Sequence, residues 1–112
     1  MPEVMLARAR IEPGATDRVR EWYRELQSRE DEVVETLRHE GVYTEAAFVE
    51  SDGEGSYLYV FMEAEDLDGA TEAGDEEAFD IDEEHHEVLR ETLVGGWERF
   101  EPIAHFVDPN LR

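Results

Sequence analysis

Lysine and cysteine are both absent from this 112-residue chain, and it contains no long hydrophobic run. Without cysteine there can be no disulfide, no thiolate nucleophile and no thiolate metal site, which fits a reducing compartment. No stretch approaches the roughly 20 apolar residues of a transmembrane helix, and the first residues lack the basic flank and apolar core of a signal peptide. The sequence therefore predicts a cytoplasmic protein that does not associate with membranes.

Positive charge is scarce as well. All 10 basic residues are arginine, whereas Asp and Glu number 31, and the formal net charge is -21. Molar salt shortens the Debye length to about 3 Å and so screens a self-repulsion that dilute buffer leaves in place. The composition indicates the cytoplasm of a halophile. It disfavours nucleic acid as a partner, because affinity for a polyanion depends on Lys and Arg contacts to phosphates.

The acidic excess is concentrated in the middle of the chain. Residues 39–89 contain 18 acidic residues and no Arg or Lys, whereas residues 1–38 contain 7 Arg and 9 acidic residues. We interpret the central segment as a hydrated carboxylate surface. An acidic docking patch for a basic partner or for cations is the alternative.

Hydrophobic periodicity predicts one domain over residues 1–112, with the order strand, helix, strand, strand, helix, strand. A long helix begins near Thr16 and stops before Gly41, with a gap in its apolar stripe at residues 29–32 that allows a kink. A second helix has Asp82 as its N-cap and ends at Gly95-Gly96, and residues 65–80 hold a short helix at most. The predicted strands are residues 4–11, 42–50, 56–63 and 97–107, of which the middle two form a hairpin around a Gly-rich turn.

This order is typical of an α+β, ferredoxin-like split βαβ fold, in which a four-stranded antiparallel sheet carries both helices on one face. The other face stays uncovered, and it is too aromatic and apolar to remain in water. We therefore predict a homodimer closed through this face. Strict alternation assigns to it Val4, Leu6, Arg8 and Arg10 of the first strand, Tyr43, Glu45, Ala47 and Val49 of the second, and Tyr57, Tyr59 and Phe61 of the third.

The chain resembles the dimeric α/β-barrel superfamily, and more closely a small uncharacterised haloarchaeal and bacterial family within it. The closer resemblance is carried by Glu12-Pro-Gly14, Trp22, the Glu40-Gly41-Val42-x-x-Glu45 turn, Met62-Glu63-Ala64 with Asp66, and Ile81-Asp82-x-Glu84-His85. It implies two ferredoxin-like halves packed sheet to sheet. It also implies a range of activities: cofactor-free monooxygenases, haem-degrading enzymes, sugar mutarotases and non-catalytic ligand binders. Fold analogy does not choose among them.

Polar residues on the predicted uncovered face form a candidate binding site. Arg8 and Arg10 would face Glu45 beneath Tyr57 and Tyr59, where an arginine fork and two phenols suit a small polar or anionic ligand. In that arrangement Arg8, Glu45 and Tyr59 line one contiguous pocket. The competing interpretation is a structural ion pair with interface aromatics.

Two histidines on the second helix invite a different interpretation. Asp82-x-x-His85 and Glu83-x-x-His86 place a carboxylate and an imidazole one helical turn apart. The two rings point about 100 degrees apart, so we predict no metal site and no cofactor. We expect His85 to lie at the rim of the pocket as an acid, a base or a packing residue.

Two hypotheses about function, from different functional classes, fit these residues. One is a small-molecule enzyme in which Arg8 or Arg10 orients the substrate, Tyr57 or Tyr59 donates a hydrogen bond, and Glu45 or His85 moves a proton. The other is a non-catalytic ligand-binding or scaffold homodimer. The Tyr57-x-Tyr59-x-Phe61 pattern resembles the stacking aromatics of RNA-recognition domains, but without a basic rim RNA binding is disfavoured. An open cavity between sheet and helices would favour the enzyme, whereas a scaffold can fill that space.

The charge balance generates one prediction. Because screening removes self-repulsion, we expect the melting temperature to rise steeply between 0.1 M and 2 M KCl. Circular dichroism melts in the two salts measure this. Equal midpoints would show that the acidic surface is not an adaptation to salt.

Overall fold

The structure is a computed structural model, and it describes residues 2–111. Four strands and four helices follow one another as β1 (Glu3–Ile11), α1 (Thr16–Ser28), α2 (Glu30–Glu40), β2 (Val42–Asp52), β3 (Gly55–Ala64), α3 (Leu67–Asp75), α4 (Asp80–Thr92) and β4 (Leu93–Arg99). The strands form one sheet in the order β2-β3-β1-β4, and every neighbouring pair is antiparallel. The ferredoxin-like fold is therefore confirmed. Within residues 2–111, no helix combines the length and the apolar character needed to cross a membrane.

Two hydrophobic clusters join the sheet to the helices. Ile11, Val19, Leu58 and Val60 form the first, and Val42, Ala64 and Ala70 form the second. Alternation along β1 explains the first cluster, because Ala7, Ala9 and Ile11 are buried while Arg10 between them is exposed. The predicted inward face of β1 is thus confirmed.

The predicted long helix is divided at Arg29, where φ is -111° and ψ is 36°. Its guanidinium binds three carboxylates: Glu25 of α1 at 3.0 Å, Glu32 of α2 at 2.8 Å and Glu84 of α4 at 2.7 Å. The gap in the apolar stripe thus coincides with the break between α1 and α2. The guanidinium of Arg29 at this break connects α1, α2 and α4.

The hairpin between β2 and β3 has the predicted place but a tighter turn. The strands extend to Asp52 and from Gly55, and the Asp52 carboxylate accepts hydrogen bonds from the backbone N–H groups of Glu54 and Gly55. A side chain that accepts hydrogen bonds from backbone N–H groups two or three residues further along the chain closes a short loop.

The predicted orientation of β2 is wrong beyond Val42. Val42 pairs with Ala64, but Thr44 pairs with Glu63, so one extra residue of β2 bulges between these pairs. Such a bulge reverses the face of every residue that follows. Glu45, Ala47 and Val49 consequently face the helices, opposite Met62, Val60 and Leu58 of β3. On the uncovered side, Ala46, Phe48 and Glu50 lie opposite Phe61, Tyr59 and Tyr57.

The C-terminal part also differs from the prediction. Asp82 is not the N-cap of α4; it lies inside the first turn, where its carboxylate accepts a hydrogen bond from the N–H of Phe79 at 3.1 Å. Gly95 does not end a helix but lies within β4 with φ 73°, near a register shift against β1. Only glycine adopts this φ readily, and here it lets the strand bulge. The last strand is Leu93–Arg99, so it includes only residues 97–99 of the predicted strand 97–107. Residues 100–107 follow it without regular structure.

Candidate functional site

A cavity of about 230 Å³ lies between the helices and the sheet. Its apolar wall includes Leu26, Val33, Met62, Ala70, Ile81 and Leu89, and its ionisable groups are Glu40, Asp75 and Glu45 together with Asp82, His85 and His86. Such a concentration of ionisable groups within a mostly apolar wall is typical of a ligand or active site. The space that a scaffold would fill is therefore open.

Glu45 and Glu40 are the two carboxyls at the junction of α2 and β2. Glu45 as a whole residue is exposed, yet burial of its carboxyl group raises the pKa of that group above the ordinary value. Burial, followed by the charges of Glu45 and Asp82, raises the pKa of Glu40 to about 7. Desolvation and neighbouring like charges both disfavour the ionised form. One carboxyl of the cavity is thus partly protonated at neutral pH.

His85 is held in one orientation by Trp22. The indole Nε1–H donates to His85 Nδ1 at 2.8 Å, and the two rings are stacked with centroids 6.1 Å apart. Burial, with a smaller effect of neighbouring His86, lowers the pKa of His85 to about 4. An indole nitrogen only donates, so the neutral imidazole carries its proton on Nε2. His85 can therefore donate a hydrogen bond from Nε2 without carrying charge.

Tyr23 lies beside this pair. Its ring meets His85 edge-on at 6.0 Å, and its hydroxyl is buried with no hydrogen-bond partner in the described part of the chain. Burial, together with the charge of Glu45, raises the pKa of the phenol. A buried unsatisfied hydroxyl costs about 1–3 kcal/mol, so Tyr23 is available to donate to a group that enters this region.

The second histidine, His86, has a different partner. His86 Nδ1 lies 3.2 Å from a carboxylate oxygen of Glu77, in the connection before α4. From residue 2 to residue 111, no three His, Asp or Glu side chains are grouped so that they could hold a metal ion.

The uncovered face brings together the other predicted site residues. Arg8 Nε donates to Glu98 at 2.7 Å and Nη1 donates to the hydroxyl of Tyr59 at 3.3 Å, and that hydroxyl donates to Glu50 at 2.8 Å. Phe100 stacks on Tyr59 with centroids 6.3 Å apart. These contacts form a continuous polar network under an aromatic ring.

Arg10 and Tyr57 extend the same network. Arg10 Nη1 donates to the hydroxyl of Tyr57 at 3.4 Å, and the guanidinium of Arg8 lies 4.3 Å from the centre of the Tyr57 ring. The predicted association of these arginines and tyrosines is therefore present in the structure.

The single pocket predicted to contain Arg8, Glu45 and Tyr59 does not exist, because the bulge in β2 turns Glu45 to the opposite face. Glu50 takes the predicted place of Glu45 beside Tyr59. His85 accompanies Glu45 on the helix side of the sheet. The six candidates thus divide into two groups: the arginines and tyrosines on the uncovered face, and Glu45 with His85 in the cavity.

Sequence reasoning missed Glu40, Trp22 and Tyr23 as members of the site. Trp22 and Tyr23 lie on α1, and their closeness to His85 depends on how α1 packs against α4. Glu40 stands just before Gly41, whose left-handed φ of 74° ends α2. A carboxylate at the C-terminal end of a helix interacts unfavourably with the helix dipole. This position was the signal in the sequence that could have identified Glu40.

The sequence matches the model of a family of unknown function, DUF6176, over residues 2–112. No curated protein matches it. Among solved structures it is similar to an L-rhamnose mutarotase from Formosa agariphila, with 14% identity, a TM-score of 0.60 and coverage of 94% of this chain and 99% of that chain. It is also similar to SnoaB, a cofactor-independent oxygenase from Streptomyces nogalater, with 18% identity, a TM-score of 0.58 and coverage of 96% and 97%.

A longer protein from Fusobacterium nucleatum is similar as well, at 12% identity with a TM-score of 0.58; 88% of this chain is covered, but only 41% of that one. The chain therefore spans less than half the length of that relative. Likenesses at these identities show the fold alone, which this chain shares with those proteins. The haloarchaeal origin of the closer family stays a prediction.

Proposed function

The chain belongs to the DUF6176 family of unknown function, and we propose that it is an enzyme that moves protons on a small polar molecule in the cavity between helices and sheet. The observation that carries the proposal is the cavity's set of ionisable groups. Glu40 has a pKa of about 7, the pKa of Glu45 is raised, and His85 is neutral. General acid–base catalysis works best with groups whose pKa lies near the working pH.

The size of the cavity supports a small substrate. Its volume of about 230 Å³ lies below the about 300–1,000 Å³ that is usual for drug-sized ligands. A monosaccharide or a molecule of similar size therefore suits it better than a polycyclic aromatic. Of the activities that the superfamily resemblance implies, this favours a mutarotase-like reaction over a monooxygenase-like one.

In the proposed reaction the anomers of a small sugar interconvert. The Glu45 carboxylate removes the proton of the anomeric hydroxyl while protonated Glu40 delivers a proton to the ring oxygen, and the bond between that oxygen and the anomeric carbon breaks. The open-chain aldehyde then recloses on its other face by the reverse transfers. No electrons are gained or lost. His85, which lines the cavity, can donate from Nε2–H to a substrate oxygen.

The test is the exchange rate between sugar anomers, measured by NMR over a panel of aldoses with and without the protein. Glu45→Gln should lower kcat by about 10²–10⁴-fold, the usual value of a general base. The control is Glu50→Gln, the same change on the same strand but on the opposite face, which should leave the rate within about twofold.

The pH profile of the same reaction provides a second readout. Protonated Glu40 is required, so kcat/KM should fall as the pH rises above about 7. Ionised Glu45 is also required, so kcat/KM should fall as the pH drops below its raised pKa. A bell-shaped profile is expected, and Glu40→Gln should abolish its alkaline limb. Ligand binding without anomer exchange would instead support the non-catalytic alternative.

The proposal includes a homodimer closed through the uncovered face. Phe48 is 58% exposed there and Phe100 is 39% exposed, next to the network around Tyr57 and Tyr59. Burial of apolar surface contributes about 25 cal/mol per Å², and a two-fold axis lets one patch cover its own copy. The arginines and tyrosines of this face then serve as interface residues, which leaves the cavity as the site of chemistry.

Light scattering in 2 M KCl tests the dimer. The wild type should have twice the 13.0 kDa mass of one chain, and Phe48→Glu should shift the population toward monomer. Val34→Glu is the matched control, because Val34 is also exposed, at 41%, but lies on α2. A wild-type protein with the mass of one chain at micromolar concentration would refute the interface.

The charge balance supports the final part of the proposal, that the protein works in the salt-rich cytoplasm of a halophile. The chain has a net charge of -21 on 112 residues. This charge favours solubility in high salt, where its self-repulsion is screened, and it opposes a compact fold in low salt, where the repulsion is not screened.

A further inference from the structure

A second space of about 390 Å³ opens between α1 and the edge strand β2, away from the cavity of the proposed reaction. Val19, Tyr23, Ala47, Val49 and Leu58 line its apolar part, with Phe48 at the strand edge. Val19 and Leu58 belong to a buried core cluster, so the deepest part of this wall is formed by the core. We call this space the α1–β2 groove.

The polar side of the α1–β2 groove consists of Arg20, Arg24 and Gln27. These residues are spaced by four and three positions along α1, so they share one face of the helix. Gln27 is engaged with Glu30, to which its amide donates at 3.2 Å. Two arginines therefore border an apolar wall.

The environment of these arginines is unusual in so acidic a chain. Acidic residues outnumber arginines 31 to 10, yet Arg24 forms no ion pair or side-chain hydrogen bond with any residue from 2 to 111. Arg20 contacts Asp17 at 3.1 Å, through an Asp17 side chain that is 89% exposed. Such an exposed pair contributes little energy, so a ligand can displace it at little cost.

We propose that the α1–β2 groove binds a small apolar carboxylic acid, with its body against Tyr23 and Val49 and its carboxylate on Arg24 and Arg20. The guanidinium fork matches a carboxylate, and the apolar wall excludes a ligand that is polar throughout. A single negative charge is favoured, because each further charge increases repulsion from a protein with net charge -21. This site is separate from the proton-transfer cavity and does not depend on its chemistry.

The experiment is an NMR titration of the full chain in 1 M KCl with 3-phenylpropionate as probe, and with 3-phenylpropanol as the neutral analogue of similar shape. Binding should shift the amide resonances of Tyr23, Ala47 and Val49 and should be saturable for the carboxylate. Loss of a charge-assisted hydrogen bond is worth about 1.5–3 kcal/mol, so Arg24→Gln and the alcohol should each weaken binding by about tenfold or more.

Arg18→Gln is the matched control. Arg18 is exposed on α1 but lies two residues before Arg20, on the opposite side of the helix, so the affinity should remain within about twofold. Equal affinity for the acid and the alcohol, or equal affinity of the wild type and Arg24→Gln, would overturn the carboxylate site. If the acid does not bind, but the amide resonances of the same residues shift when the protein is diluted, the groove would instead be an interface with a second copy of the chain.

Discussion

One extra residue in the ladder between β2 and β3 determines which carboxylates face the helices. Val42 remains in the core opposite Ala64, and the bulge that follows it turns Glu45 inward and Phe48 outward. Without the bulge, Glu45 would join Tyr59 on the uncovered face and Phe48 would fill the space between sheet and helices. The place of Glu45 in the cavity and of Phe48 on the outer face both depend on this local irregularity.

The two faces of the sheet are electrostatically distinct. On the uncovered face each arginine has an oxygen or aromatic partner, so the charges are compensated by Glu98, Glu50 and the phenols. In the cavity, carboxyls lie near one another, and among residues 2–111 no arginine lines the wall. Protons, rather than counter-charges, relieve that repulsion. An acidic surface suits a protein in salt, whereas carboxyls with raised pKa values beside a cavity are a feature suited to proton transfer.

Much of the fold could be predicted from the sequence because period-2 and period-3.6 patterns dominate it. The order of elements, the hairpin and the orientation of β1 follow directly from them, and the interruption near Arg29 was visible as a gap in the stripe. The orientation of β2 could not be predicted, since a bulge leaves almost no mark in a strand whose two faces both carry apolar residues. That single difference separated Glu45 from Arg8 and Tyr59. The partnership of Trp22 with His85 depends on helix packing over 63 positions of sequence, which no local pattern reports.

The central claim is that the cavity holds Glu40 partly protonated near neutral pH. The most direct measurement is a ¹³C NMR titration of the glutamate side-chain carboxyls in molar KCl, with the Glu40 resonance assigned by its loss in Glu40→Gln. The account predicts a Glu40 midpoint near pH 7, well above the ordinary glutamate value of about 4.3. A Glu40 midpoint at that ordinary value would contradict it, because the carboxyl would then be ionised and unable to donate a proton.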